Sequence, residues 1–337
     1  MSDHAVDFLA ASDSLARNPA LEYSAELPVL GIDTRFETNS RYVLGVIDEA
    51  FGAWSALDRL LADLSGGAPQ RTNVRIIVSD GTEDGTSHAQ IRYLCPDATR
   101  VIVQSRGSLG ISDPLRRESV AYVTTALAAD RAHFRVSLLE AITFALLSHF
   151  DRHPVHAAAV ARGGRAILLA GPSGAGKSTL TYVAHLAGLD VLGDDHVWIQ
   201  RAPALRVWGG SRRVRLTSDT STHFPEIEHT GVPSNVDGKQ KLVMDLGNAR
   251  HHQSTLVAEC AAVCILEPGA SVPSLEKLDA AAVVTTLTER PAPGFDRFPE
   301  RHDSVMRAIA RDGGWRLRLS SDPRAALPLL VRMLDES

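Results

Sequence analysis

Cysteine is scarce in this chain: three residues in 337, Cys95, Cys260 and Cys264. The number is odd and the spacing fits neither a disulfide framework nor a thiolate metal site, so a reducing compartment is expected. Cys260 and Cys264 flank a short apolar run, where each reads as a small buried hydrophobe. Positive charge is not in excess. Charged residues make up 22% of the chain and the formal net charge is −5, which excludes a global basic field that recruits nucleic acid. No uncharged apolar run reaches the length of a membrane span. The start, Met1-Ser2-Asp3-His4, carries no basic segment leading into an apolar one. No secretory signal is therefore read, and the expectation is a cytoplasmic protein with no membrane partner. Internal repeats and low-complexity tracts are missing too. What remains, at this length, is one large or two ordinary domains with a sizeable core.

The most informative stretch present is Gly171-Pro172-Ser173-Gly174-Ala175-Gly176-Lys177-Ser178-Thr179, directly behind the apolar run 166–170. It fits the P-loop pattern: Gly, four residues, then Gly-Lys-Ser, with a strand expected before it and a helix after. Gly171, Gly174 and Gly176 let successive backbone N–H groups converge on phosphate oxygens, with Ser173 and Ala175 completing the loop. The helix that follows, through Ser178 and Thr179, adds its positive N-terminal end. Lys177 reaches the β and γ phosphates and the Ser178 hydroxyl ligates Mg²⁺, so ATP and Mg²⁺ are the expected cofactors. The bland alternative is a glycine turn that fits the pattern by chance.

Residues up to about 130 read as a mixed domain with β character. Strands are expected at 74–78, 89–95 and 100–104, separated by turns such as Asp80-Gly81 and Asp84-Gly85. Residues 130–152 show helical periodicity in Phe134, Leu138, Ile142, Ala145 and Leu146, with Pro154 as the stop. Residues 156–170 read as two short strands joined by Gly163-Gly164, the second feeding the P-loop. Gly188 stops the helix after the loop. Short strands follow at 189–192, 197–201, 205–208, 214–216 and 261–266. The tail reads as a helix near 305–311, a strand at 315–319 and a helix near 325–335. The boundary falls near residue 150, which gives an N-terminal mixed domain over 1–150 and a nucleotide-binding domain over 151–337.

The acidic pair Asp194-Asp195 narrows the reaction. Carboxylates on neighbouring residues at a strand end point opposite ways, so one faces a metal and the other an incoming hydroxyl. Phosphoryl transfer needs both a metal ligand and a base for the nucleophile. A solvated Asp-Asp turn closing a strand is the alternative.

Three consecutive features carry a family resemblance. They are His156-Ala157 before the strand pair, the P-loop, and the strand end Leu192-Gly193-Asp194-Asp195-His196-Val197. Together they resemble the catalytic domain of HPr kinase/phosphorylase and its kinase-like relatives over roughly residues 150–335. The resemblance implies an α/β P-loop kinase domain of the HPr-kinase/PEP-carboxykinase-like type, behind a β-rich N-terminal domain for substrate recognition or oligomerisation. It implies ATP-dependent phosphorylation of a serine hydroxyl on a peptide or protein, and a homo-oligomer. Residue by residue, Lys177 holds phosphate, Ser178 and Asp194 address Mg²⁺, Asp195 is the general base, and His156 stands near the transferred phosphate.

Here, too, something is missing. HPr kinases proper carry a Glu followed by Arg-Gly-Leu-Gly, which supplies a second metal ligand and part of the phosphorylase machinery. Residues 206–215 stand at that place without it. The resemblance is therefore closer to shorter kinase-like relatives, some of which phosphorylate a precursor-peptide serine. In those a Gly-Lys segment follows, and Gly238-Lys239-Gln240-Lys241 fits that place.

Other candidates keep two readings. Arg212, Arg213 and Arg215 form a basic cluster suited to clamping ATP or a phosphorylated group, or else a solvated β-edge. Lys239 and Lys241, in a segment rich in turn residues, read as a phosphate lid or as a plain charged loop. His156 is a site residue or a satisfied structural histidine. His149, His153 and His156 lack metal-ligand spacing because Pro154 interrupts it. His251-His252 reads as exposed loop. Leu64-Ser65-Gly66-Gly67 imitates an ABC-transporter signature but precedes the P-loop. The run 263–268 imitates a Walker B strand ending in Glu267 but lacks the Asp before the Glu. The rival enzymatic reading is a small-molecule kinase of the gluconate or adenylylsulfate type, which also places Gly-Asp after the P-loop helix. A third is a nucleotide-dependent regulator that transfers nothing.

Overall fold

The computed structural model describes residues 20–57, 71–79, 91–97, 99–209, 213–236, 239–246, 255–288 and 299–336. The chain divides into two compact units, Met1–Phe150 and Asp151–Ser337. Both are mixed α/β. Among the described residues no helix is long and apolar enough to cross a membrane.

The first unit holds β1 (Tyr23–Val29), β2 (Ile32–Thr38), β3 (Arg71–Ser79), β4 (Arg92–Leu94), β5 (Val101–Ser105), β6 (Ser108–Asp113) and β7 (Glu118–Thr124). They form one sheet in the order β1-β2-β3-β7-β6-β5-β4. Pairing is parallel for β2/β3 and β3/β7 and antiparallel elsewhere. Helix α1 (Arg41–Phe51) is capped by the Ser40 hydroxyl, which accepts from the Val43 N–H. Its Phe51 stacks on Phe36 of β2 at 5.1 Å and meets Phe144 of α2 (Ala141–Leu147) edge-on at 5.8 Å, so both helices share a core with the sheet.

The periodicity over 130–152 predicts one helix, and the structure corrects it. A short helix at Arg131–Phe134 passes into a π turn, Arg135–Glu140, before α2. The wide turn aligns residues five apart. Arg135 Nε thereby donates to Glu140 Oε1 at 2.6 Å, while Arg135 Nη1 reaches Glu49 Oε1 at 3.2 Å. The regular helix ends at Leu147 rather than Arg152, and Pro154 lies inside a strand. Asp151 is the reason: at φ 57° its carboxylate accepts from the backbone N–H groups of Arg201 and Ala202, which pulls this segment into the sheet.

The second unit contributes β8 (His153–Val155), β9 (Ala158–Arg162), β10 (Arg165–Ala170), β11 (Asp190–Gly193), β12 (Val197–Gln200) and β13 (Arg206–Trp208). A hairpin sheet adds β14 (Arg213–Thr217), β15 (Val232–Val236) and β16 (Lys239–Asp245); β17 (Val257–Pro268), β18 (Ser274–Leu278) and β19 (Gly314–Leu319) complete the set. The main sheet runs β11-β9-β10-β17-β13-β12-β8, with β19 also on β17 and β18 on β19. Central β10 is apolar throughout because both its faces are covered. Ala166, Leu168 and Ala170 pack with Val283 of α4 (Ala280–Thr288) and Val305, Met306 and Ile309 of α5 (Pro299–Ile309). Ile167 and Leu169 pack on the other face with Leu180 of α3 (Lys177–Leu186) and Leu330 and Met333 of α6 (Leu327–Glu336). The smaller sheet, β14-β16-β15, buries Val214, Leu216 and Met244 against Tyr182 and Val183 of α3.

The hairpin corrects a second expectation: Lys239 and Lys241 stand on a strand, not in a loop, because 232–236 and 239–245 pair antiparallel. Free Cys264 is buried and Cys260 partly so within β17; burial pushes the Cys260 thiol up to about 12, so it acts as packing. Glu267, the false Walker B acid, is bound to Arg316 and Arg318 at the strand end. Leu64-Ser65-Gly66-Gly67, Asp80-Gly81, Asp84-Gly85, Arg212, the Asp237-Gly238 turn and His251-His252 lie outside the described residues.

Candidate active site

Strand order brings the sequence candidates to one edge. Strands β10 and β11 both run antiparallel to β9, so they run parallel to each other and end on the same side of the sheet. Strand β9 begins on that side. The P-loop follows β10, Asp194-Asp195 follows β11, and His156 precedes β9. All three therefore meet at the sheet edge, although only the loop is locally encoded.

The loop has the conformation its glycines require. Gly171, Gly174 and Gly176 adopt φ of 148°, 85° and 97°, values that side chains resist. A Cβ on Gly171 would meet the Leu266 carbonyl of β17 at 3.1 Å, a tight approach added to the strain of its φ. Gly176 is the N-cap of α3 and offers no side-chain oxygen, which leaves the first-turn N–H groups for a ligand. Ser173 and Gly174 are exposed at the loop crest and Ala175 is buried beneath it. Thr179 is held within the unit, its hydroxyl 3.3 Å from that of Thr220. Lys177 turns its ammonium onto the loop, donating to the Gly171 carbonyl at 2.7 Å and the Pro172 carbonyl at 3.2 Å. Burial lowers its pKa, while Asp195 and Asp194 pull the other way.

The two aspartates sit in opposite surroundings. Asp194 is buried; its Oδ2 accepts the Arg215 N–H at 2.9 Å, and its carboxyl accepts a hydrogen bond from Ser178. Burial, aided by the charge of Asp195, pushes it up to about 6 despite those bonds. Its Oδ1 is buried without a partner. Asp195 keeps 37% of its side chain exposed. Arg215 Nη1 donates to its Oδ2 at 3.0 Å, His196 Nδ1 lies 3.2 Å from Oδ2, and His156 Nδ1 lies 3.6 Å from Oδ1. Burial pushes Asp195 up, but His196, His156 and Arg215 together hold it well below the usual carboxylate range. His156 is itself lowered by burial and by Lys177, with Asp195 opposing.

The donor set fits Mg²⁺. A buried, raised carboxyl with an unpartnered oxygen, bonded to a hydroxyl at the first turn of a P-loop helix, is satisfied by a hard cation. Ser178 and Asp194 are the residues that would hold it.

The structure joins Lys177, Ser178, Asp194, Asp195 and His156 in one place. It does not bring Arg213 onto the aspartates. Arg213 begins β14 opposite Asp245, and the alternate residue Arg215 makes both contacts. Lys239 opens β16, its side chain outside the described residues; the charge of Lys241 on the same strand bears on His156 and Lys177. Arg215 carried a signal in the alternation Arg213-Val214-Arg215-Leu216-Thr217, where buried Val214 and Leu216 turn it the other way. His196 carried none beyond its position after Asp195.

No family model matches the chain, and no curated protein matches it. Among solved structures, the Hpr(Ser) kinase/phosphatase from Coxiella burnetii aligns over 54% of this chain and 93% of its own, at 12% identity and a TM-score of 0.27. A likeness at that score carries no argument. The mixed α/β architecture and the loop geometry are features of this fold itself.

Proposed function

We propose that this chain is a phosphotransferase that moves the γ-phosphoryl group of Mg²⁺-bound ATP to the hydroxyl of a serine on a peptide or protein. The observation that carries the reading is the buried Asp194 carboxyl, one oxygen held by the Arg215 N–H and the other without a partner, together with the Lys177 ammonium turned onto the loop. A glycine turn that binds nothing has no need of such a pair.

Each residue has a defined task. Lys177 exchanges the Gly171 and Pro172 carbonyls for phosphate oxygens, and the N–H groups of the loop and first turn of α3 hold the remaining charge. Ser178 and Asp194 would hold Mg²⁺, which when bound would supply neutralisation of the phosphate charge. Asp195 accepts the acceptor hydroxyl proton as the new O–P bond forms and ADP departs. Held far below neutrality, it is a weak base that stays ionised, so it orients the hydroxyl and takes the proton late. Arg215, bonded to both aspartates, keeps them apart and fixes the Asp195 carboxylate. The first unit is assigned acceptor recognition; Tyr122 and Ile111 stand exposed on its strands.

The test uses purified protein, γ-labelled ATP and Mg²⁺ beside Asp195→Asn, with two acceptors offered separately: peptides encoded near the gene, and a small-metabolite extract. Label on a peptide serine, reduced roughly 10²–10⁴-fold in a variant that still binds ATP, supports the reading. Label confined to a metabolite replaces the peptide by a small molecule. No transfer to either, with ATP bound, removes the base role of Asp195.

A further inference from the structure

Asp195 is flanked by two imidazoles that phosphoryl transfer does not require. His156 lies before β9 and His196 before β12, yet both turn Nδ1 toward the same carboxylate, at 3.6 Å and 3.2 Å. The rings stand edge to face, 5.8 Å between centroids and 84° between planes. One ligand atom from each of His156, Asp195 and His196 lies within 4.8 Å of the others. Two imidazole nitrogens and one carboxylate oxygen suit zinc and its neighbours in the first transition row; Mg²⁺ prefers oxygen alone. The set shares no residue with Ser178 and Asp194. All three side chains keep about a third or more of their surface exposed (34% for His156, 37% for Asp195, 44% for His196), so an ion reaches them without unfolding the site.

We propose that His156, Asp195 and His196 bind a zinc-class dication with an open fourth position, and that the bound ion withholds Asp195 from the acceptor and stops transfer. The inhibitory half rests on the proposed function; the binding half does not. Lys177 and Arg215 oppose the ion by charge. Arg215 stays on Asp195 Oδ2 while Oδ1, 3.6 Å from His156 Nδ1, faces the ion, and an anion such as phosphate in the fourth position offsets the repulsion.

The test measures metal uptake and inhibition separately on the full chain. Zn²⁺ is titrated against a chromophoric chelator, and Co²⁺ uptake is followed by its visible absorption, in wild type, His196→Ala, His196→Gln and His156→Gln. Wild type takes up one ion per chain, excess Mg²⁺ does not displace it, and each variant weakens binding by roughly 100-fold or more, since losing even a hydrogen-bond partner of a ligand costs up to that much. In the transfer assay the ratio of rates with and without Zn²⁺ is read for each protein. Zinc suppresses wild type, chelator restores it, and the His196 variants lose the suppression. No uptake by wild type, or equal uptake by the variants, overturns the site. Tight uptake with transfer indifferent to zinc overturns the inhibition. Tight uptake by a protein that transfers nothing keeps the site and removes the proposed function instead.

Discussion

Replacing Asp194 by Asn removes a charge that the fold holds at a cost. The carboxyl titrates near 3.8 when solvated and at about 6 in the folded chain. Between those values the folded state binds the proton more tightly than the unfolded state, so stability falls as pH rises and the loss is complete above the folded value. The displacement corresponds to about 3 kcal/mol of destabilisation at neutral pH. In Asn the amide oxygen keeps the Arg215 N–H and Ser178 bonds, and the amide NH₂ takes the place of unpartnered Oδ1. That buried donor costs about 1–2 kcal/mol. The net expectation is that Asp194→Asn is more stable than wild type by about 1–2 kcal/mol near neutral pH, a rise of ~2–8 °C in the melting transition of the second unit. Near pH 4 the gain reverses, because wild type is then largely protonated and loses its penalty while the buried amide donor still costs the variant about 1 kcal/mol. Calorimetric melts of both proteins in chelator, across about pH 4 to 8, read this directly. Added Mg²⁺ raises the wild-type transition and not that of the variant. A variant less stable than wild type at neutral pH, or a gap that does not change with pH, refutes the reasoning.

Three further outcomes follow from the same geometry. Lys177→Ala weakens ATP binding and transfer together; unchanged nucleotide affinity by calorimetric titration counts against the phosphate role of the loop. Arg215→Ala takes one cation from Asp195 and moves the acidic limb of its kcat/KM profile to higher pH, with a fall in rate on the order of 10²-fold. A profile unmoved on that side separates Arg215 from Asp195. Gly171→Ala, forced against the Leu266 carbonyl at φ 148°, lowers the melting transition of the second unit and ATP affinity together. An unchanged melt shows that the loop has another low-energy shape.

Legibility followed range. Residues 156–170 and α3 were readable because each signal is local: Gly163-Gly164 turns a hairpin, an apolar run fills a doubly covered strand, and Gly188 ends the helix at φ 83°. The first unit was read less well. β1 carries Glu26 and Pro28 along an edge, which hides it from a hydrophobicity pattern. The π turn at Arg135–Glu140 follows from a pairing with Glu49, far away in sequence, that no helical period announces. The paired lysines of β16 looked like a loop because the turn residues beside them outweighed the strand they begin.

By itself the sequence determined the phosphate loop: its glycines, lysine and hydroxyl are consecutive, and a single strand-to-helix crossing aims them. It determined the presence of two carboxylates but not their difference. Only the tertiary structure decided that Asp194 is buried with one oxygen unpartnered while Asp195 stands among His156, His196 and Arg215. It likewise decided that Arg215, not Arg213, reaches them. The reason is physical: strand order and burial set which charges meet and how strongly, and both depend on pairings that neighbouring residues do not encode.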